Sequence, residues 1–277
     1  MPKVIIAGCG FLGEAAADLF SGIGWSVLGL CASADSAARL AGKSYPVRVT
    51  DISRPFTMDP HWHGADVLIH CASSGRGGPD AYRAVYLDGL LNAITAIQPR
   101  RTLFTGSTSV YAQADGSVVD ESSETKPDRE TGRILLDAEG VALASGGYVA
   151  RLSGLYGPGR SVLLRKFLAG EAVIEGDGTR WINQIHRDDA ARAIVHLFAT
   201  RADPGVYNVS DNTPATQRDV YQWLADFFHR PLPPSGAPDP DRKRGLTSKR
   251  VSNQKIRLTG WQPVFGSFRE AIPELAS

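Results

Sequence analysis

The stretch that most restricts how this chain can fold is Gly8-Cys9-Gly10-Phe11-Leu12-Gly13. It follows a short apolar run, Lys3-Val-Ile-Ile-Ala-Gly8, and it opens a segment in which Phe11, Leu12, Ala15, Ala16, Leu19 and Phe20 recur at helical spacing. Gly22 and Gly24 end that helix. A buried strand that turns through glycines into a helix is the first half of a βαβ unit. In such a turn Gly8 allows the tight reversal, Gly10 lets the backbone approach an anion, and Gly13 lets helix and strand pack closely. The N–H groups at the helix start, at Phe11 and Leu12, together with the helix dipole, then favour the pyrophosphate of a dinucleotide.

The same alternation continues. Strands are expected near 25–30, 47–51, 66–72, 102–106 and 148–152, with a helix over 80–97 that ends at Pro99. Buried strands separated by helices indicate an α/β fold of Rossmann type, a doubly wound parallel sheet covered on both faces. Residues 113–130 read as a polar loop, with a helix beginning at Ile134. Further helices are expected over 188–200 and 218–228, the latter opened by a capping pair of Thr216 and Asp219, with a short strand at 206–209. The proline-rich stretch 231–240 reads as an excursion. The expected division is a dinucleotide-binding domain over 1–152 and a smaller, mainly substrate-binding region over 153–277. Within the latter, about 181–210 returns to pack on the first domain.

Composition removes several alternatives. Among 277 residues the formal net charge is +1, so no basic field points to nucleic acid. The three cysteines, Cys9, Cys31 and Cys71, are too scattered for a disulfide framework or a metal-ligand set, and no metal is expected. No apolar run approaches the ~18–20 residues of a membrane span. The expected location is cytoplasmic.

The second strand should end beside the adenine ribose. An NAD site usually places an acid there, about 20 residues past the glycines. Here the stretch reads Leu30-Cys31-Ala32-Ser33, and Asp35 comes slightly late. Ser33 and Arg39 are instead suited to a 2′-phosphate, which favours NADP over NAD.

Further landmarks follow in order: Asp51-Ile52, Val67-Leu-Ile-His-Cys71-Ala72, Ser107-Thr-Ser-Val-Tyr111, Arg151-Leu-Ser-Gly-Leu-Tyr-Gly-Pro-Gly159, Ile185-His-Arg-Asp-Asp189 and Leu258-Thr-Gly-Trp-Gln-Pro263. With these the chain resembles the extended short-chain dehydrogenase/reductases, the NAD-dependent epimerases and dehydratases, over nearly its whole length. The resemblance implies that Asp51 and Ile52 lie at the adenine, that Cys71 and Ala72 line the cofactor cleft, and that Ser107 hydrogen-bonds the substrate oxygen.

The chain departs from the family at two places. It opens with GxGxxG in place of TGxxGxxG, and it lacks the Y-x-x-x-K pair. Aligning on Ala138-Glu139 puts Thr131 at the tyrosine position and Leu135 at the lysine position, and none of the eight tyrosines is followed by lysine four residues on. Threonine is too weak an acid to inherit the tyrosine's task. The candidates to assist Ser107 are therefore Tyr111 as proton donor and Arg133 as cation, with Thr131 at the vacated place. Arg151, Trp181 and Asn183 are expected to line the substrate side. His186 is a further titratable candidate, while Asp188 and Asp189 should cap the helix that follows. Arg242, Lys243, Arg244, Lys249, Arg250, Lys255 and Arg257 read either as a solvated face or as a grip for an anionic substrate.

The expected function is that of an atypical NAD(P)-dependent oxidoreductase, epimerase or dehydratase. Its substrate would be small, sugar-like or carbonyl-bearing, with an anionic group. The alternative is a non-catalytic NAD(P)-binding sensor, suggested by the missing pair. The family resemblance also implies a homodimer, formed through the helices near 80–97 and 134–144.

Overall fold

Successive residues of a strand face opposite sides of its sheet, and β1 (Lys3–Ala7) divides that way. Val4 and Ile6 enter one buried cluster, Ile5 and Ala7 another. Both faces of this strand are therefore covered, as a parallel sheet requires. The computed structural model describes residues 1–75, 77–237 and 247–276.

After β1 come α1 (Phe11–Gly22), β2 (Ser26–Cys31), α2 (Ala34–Ala38), β3 (Val47–Val49) and β4 (Val67–His70). A helical stretch then runs through α3 (Pro79–Tyr82), a π-helical turn (Arg83–Asp88) and α4 (Gly89–Ile97). Next are β5 (Arg101–Ser107), β6 (Val118–Val119), α5 (Glu130–Ala144), β7 (Tyr148–Leu152), β8 (Gly154–Tyr156) and α6 (Val162–Leu168). The remainder comprises β9 (Ile174–Glu175), β10 (Trp181–Ile182), β11 (Gln184–His186), α7 (Arg187–Ala199), β12 (Gly205–Val209), β13 (Ala215–Thr216) and α8 (Gln217–Phe228), then β14 (Ser235–Gly236), β15 (Arg250–Val251), α9 (Gln254–Leu258) and α10 (Phe268–Ala276).

The central sheet has seven strands in the order β12-β7-β5-β4-β1-β2-β3, all parallel. The order reverses between β1 and β4, which opens a crevice beyond their carboxyl ends. On one face α1 and α7 pack through Ala16, Ala17, Phe20, Ala190, Ile194 and Leu197. The other face carries α4 and α5, through Leu90, Ala93, Ile97, Leu135, Ala138 and Ala142. A separate cluster joins α6, α8 and α10, centred on Phe167, Tyr221, Leu224 and Ile272. Among the described residues no helix is long and apolar enough to cross a membrane.

Several features differ from the expectations. The helix α2 was not anticipated; it is five residues long, with none of them buried, so it carries no apolar stripe. The polar stretch 113–130 holds β6, which pairs in parallel with β15 from the far end of the chain. The π turn follows from packing: His70, at the end of β4, directs Nε2 to the Val85 carbonyl at 2.9 Å, a carbonyl inside the π-helical segment. The capping pair at Thr216 and Asp219 forms in both directions. At α7 the cap is the His186 side chain, which accepts from the Asp188 N–H, and not either aspartate.

Candidate functional site

The glycine loop sits at the crevice between β1 and β4. Its first residues are tied to β2, since Gly8 and Cys9 both donate to the Leu30 carbonyl, at 3.0 and 2.9 Å. The three glycines answer to different constraints. Gly8 has φ +90°, and a Cβ there would lie 2.3 Å from the Ala72 nitrogen. At Gly13 a Cβ would lie 2.2 Å from the Gly8 carbonyl oxygen. Around Gly10 nothing stands within 4 Å of a Cβ position. The protein itself therefore does not require a glycine at position 10, and a ligand approaching the backbone would. No side chain caps α1, so its first N–H groups stay open. Phe11 at the helix start lies under two guanidinium groups, Arg160 at 5.1 Å and Arg187 at 5.3 Å from the ring centroid. Arg187 is itself paired with Asp188 at 2.7 Å, so Arg160 is the less compensated of the two cations beside the mouth of the loop, a feature that sequence reading missed because 160 and 187 are remote from 11 in the chain. Leu12 is buried and belongs to the core. Open space at Gly10, uncapped N–H groups and adjacent cations together fit a dinucleotide pyrophosphate.

At the carboxyl end of β2, Ser33 caps α2, and its hydroxyl lies 3.0 Å from that of Ser36. Arg39 donates to the Ser36 hydroxyl at 3.2 Å. Ser33, Ser36 and Arg39 therefore form one exposed, hydrogen-bonded group that could take a phosphate. Asp35, the alternative ribose contact, lies in the first turn of α2. Asp51 accepts from the Ser53 N–H and hydroxyl, at 3.0 and 2.6 Å. Ile52 is buried, and its carbonyl accepts from Asn92 at 3.0 Å. Cys71 donates its N–H to the Ala7 carbonyl at 2.7 Å, so Cys71 and Ala72 form the wall facing Gly8. Burial pushes the Cys9 thiol up to about 12, so it stays protonated.

Beyond β5 and β7 lies a cavity of about 440 Å³. Its walls include Ser107, Ser109, Tyr156, Trp181, Asn183 and Gln184, together with Arg180 and Lys249. Ser107 ends β5, and its Oγ accepts from the Ser109 N–H at 3.2 Å. Asn183 donates to the Lys249 carbonyl at 2.8 Å and accepts from the Val251 N–H at 2.7 Å, so it fastens the C-terminal segment to the cavity wall. Trp181 lies under the Arg250 guanidinium at 5.2 Å.

Other expected site residues lie elsewhere. Tyr111 is completely buried; it donates to Asn208 Oδ1 and accepts from Arg151 Nη1, both at 2.9 Å. Burial raises its pKa. With both its hydrogen bonds internal and no place in the cavity wall, it is not positioned to hand a proton to a substrate. Arg151 is also buried, forming a two-pronged ion pair with Glu139 at 2.7–3.2 Å, and it does not line the substrate side. Thr131 and Arg133 sit at the start of α5 outside the cavity wall, with Arg133 exposed and donating to the Asp128 carbonyl at 3.3 Å. His186 is buried against Phe265 and Tyr156, and burial lowers its pKa, so it remains a neutral cap.

The described part of the basic tail divides: Lys249 is buried, while Arg250, Lys255 and Arg257 are exposed. Lys249 is 5 % exposed and donates to the Tyr111 carbonyl at 2.8 Å. Arg250 donates to the Gly116 carbonyl at 2.9 Å and Lys255 to that of Val206 at 2.7 Å, while Arg257 bonds Gln262. Arg242, Lys243 and Arg244 lie outside the described residues.

The comparisons with known proteins bear on the family and the fold. The chain is 33 % identical to Protein YeeZ of Escherichia coli K12 over 218 residues, covering 76 % of this chain and 77 % of YeeZ. The structure of an NAD-dependent epimerase/dehydratase candidate from Methylobacillus flagellatus superposes with a TM-score of 0.83 at 30 % identity, covering 99 % of this chain and 97 % of the other. UDP-glucose 4-epimerase of Thermotoga maritima, at 18 % identity, shares the fold with a TM-score of 0.80 over 99 % of this chain and 97 % of its own. The family description "NAD dependent epimerase/dehydratase family" matches residues 4–210, and the chain belongs to that family.

Proposed function

We propose that this protein is an NAD(P)-dependent oxidoreductase, epimerase or dehydratase whose substrate is small, sugar-like or carbonyl-bearing, with an anionic group. The observation that carries the reading is the pairing of two features at the carboxyl edge of one sheet. One is a glycine loop with open space at Gly10; the other is a cavity of about 440 Å³ with Ser107 in its wall. A bound nicotinamide dinucleotide supplies the hydride donor or acceptor. In this reading the N–H groups of Phe11 and Leu12 hold its pyrophosphate, Asp51 and Ile52 flank its adenine, and Cys71 and Ala72 form the floor. Ser33, Ser36 and Arg39 take a 2′-phosphate, which makes NADP the preferred cofactor. Ser107 donates its hydroxyl hydrogen to the substrate oxygen, and Trp181 and Asn183 orient the substrate from the region beyond residue 152.

A second reading, a non-catalytic sensor of the cofactor, draws on the absence of an acid or a cation at positions 131 and 135 of α5. The open cavity favours the enzyme, because a sensor has no need of space beside Ser107. The homodimer through the helices over 79–97 and 130–144 is part of the same proposal, and a monomer by light scattering overturns it.

The test is a fluorescence titration of the purified protein with NADPH and NADH side by side. NADPH should bind at least ~10-fold more tightly, a difference of about 1.4 kcal/mol, and Arg39→Ala should remove most of that preference. Equal affinities refute the NADP assignment, and failure of both to bind refutes the whole reading. Ser107→Ala should abolish turnover of a substrate found by screening; retained turnover excludes Ser107 from the chemistry.

A further inference from the structure

Tyr86 lies inside the π-helical turn (Arg83–Asp88), one residue past the Val85 carbonyl that meets the His70 side chain. Turns of this kind are rare and are frequent at functional sites. The Tyr86 ring is held by Tyr82 at 4.9 Å and by Phe104 at 6.2 Å between centroids, and it packs on the buried cluster that contains Leu135. Its hydroxyl donates to the Ser73 Oγ at 3.4 Å. Ser73 is exposed and immediately follows Ala72, the residue that walls the glycine loop opposite Gly8. It also stands level with Ser107, because β4 and β5 are in register at His70 and Phe104 and each serine comes three residues later. The two hydroxyls therefore lie at the carboxyl edge of the sheet, between the wall of the glycine loop and the cavity that contains Ser107.

A dinucleotide lies across the carboxyl edge of such a sheet, with its two halves on either side of the switch point. In the reading above, the adenine half takes Ser33, Arg39 and Asp51 on the side of β2 and β3, which leaves the nicotinamide half to β4 and β5. On that side Leu135 of α5 is buried in the core, and Thr131 stands outside the cavity wall. A ribose carries adjacent hydroxyls that both donate and accept, and the hydroxyls of a serine and a tyrosine are matched partners for them. We propose that Tyr86 and Ser73 hydrogen-bond the nicotinamide-side ribose, so that β4 and the π-helical turn hold this half of the cofactor. The inference rests on the reading above, in which the crevice takes a nicotinamide dinucleotide. The contact between His70 and Val85 then has a use beyond packing, since it fixes the turn and the turn fixes where the phenol stands.

The experiment titrates the full chain with NADPH and with adenosine 2′,5′-bisphosphate, the adenine half that lacks the nicotinamide ribose. Should NADH bind more tightly than NADPH, NADH and AMP take their places. Tyr86→Phe keeps the ring and removes only the hydroxyl. It should weaken NADPH at least ~5-fold, the loss expected for one hydrogen bond, and leave the bisphosphate within ~2-fold of wild type. Ser73→Ala should act in the same way, and Ser73→Thr should retain wild-type binding. As a second measurement on the unmutated protein, tetranitromethane should nitrate Tyr86, read by mass spectrometry of its peptide. NADPH should protect it, and the bisphosphate should not. A folded Tyr86→Phe that binds NADPH as wild type does overturns the proposal. Equal losses for NADPH and the bisphosphate overturn it as well, because they place the effect in the fold, and so does nitration of Tyr86 that NADPH leaves unchanged. Failure of the wider functional reading shows separately, as wild-type protein that binds neither NADPH nor NADH.

Discussion

Replacing each loop glycine by alanine should produce opposite outcomes at neighbouring positions. At Gly8 the added Cβ meets the Ala72 nitrogen at 2.3 Å and its Cα at 2.4 Å, on a backbone with φ +90°. Overpacking costs ~1–3 kcal/mol, and a left-handed backbone adds ~1–2 kcal/mol for a residue with a side chain. Gly8→Ala should therefore lose ~2–5 kcal/mol of stability. Gly13→Ala meets the Gly8 carbonyl oxygen at 2.2 Å and an Ile6 methyl at 3.0 Å, and should lose ~1–3 kcal/mol. Gly10→Ala meets nothing within 4 Å, on a backbone with φ −111°. Its stability should stay within ~0.5 kcal/mol of wild type, while NADPH affinity falls at least ~10-fold, about 1.4 kcal/mol, and Gly10→Val should abolish binding. Thermal melts read the first quantity, at ~2–4 °C per kcal/mol for a chain of this class, and NADPH fluorescence reads the second. The reasoning fails if Gly10→Ala melts as early as Gly8→Ala, or if it binds NADPH as wild type does.

Two further predictions concern the scaffold around the cavity. Glu139→Ala leaves the Arg151 guanidinium, with its side chain only 6 % exposed, without its carboxylate; the loss should be ~3–5 kcal/mol, and Glu139→Leu combined with Arg151→Met should restore most of it. A double variant melting no higher than the single one contradicts this account of the pair. The second concerns acid. Burial lowers the pKa of His70 from 6.5 to about 4, so the folded state favours the neutral ring. Its contribution is complete above pH 6.5 and is lost as pH falls through 4, a difference on the order of 3 kcal/mol. Melting curves of wild type and His70→Gln at pH 7, 5 and 4 should converge as the pH falls; parallel curves refute the assignment.

What could be read from the sequence depended on how local its cause is. Strands β1, β2, β4, β5 and β7 and the helices over 11–22, 130–144 and 187–199 are apolar on the buried side and punctuated by glycine or proline, so their pattern carries them, whereas the two-residue β6 has no such signal. Ser107 lies in a family landmark, Ser107-Thr-Ser-Val-Tyr111, whereas Trp181 and Asn183 lie in none and are expected at the substrate side from residue type and place in the chain. Tyr111 and Arg151 looked chemical because residue type says nothing about burial. Their partners, Asn208 and Glu139, lie 97 and 12 residues away, and only the folded chain shows that these groups bond to each other. Within the tail the same holds for Lys249, the one buried cation among its described residues. Lys249, Arg250 and Lys255 have no helical or strand period, yet each donates to a backbone carbonyl or hydroxyl more than 40 residues distant or inside the cavity rim.

Position 135 of α5 and the C-terminal segment meet in one buried cluster, through Leu135 and Val251. Leu135 is buried there with Tyr111, Leu90 and Phe104, so this position of α5 is sealed into the core. The space beside Ser107 is open, and charge reaches it from two other segments, at 180 and 249. The second of these is held with care. β15 pairs with β6, Asn183 ties the Lys249 carbonyl and the Val251 N–H, and Arg250 stacks on Trp181 and bonds the Gly116 carbonyl. Anchoring on this scale fixes the C-terminal segment against the cavity wall. Loosening the anchor by Asn183→Ala removes the bonds to the Lys249 carbonyl and the Val251 N–H and should cost ~1–3 kcal/mol of stability; a variant that melts as wild type does refutes the anchoring role.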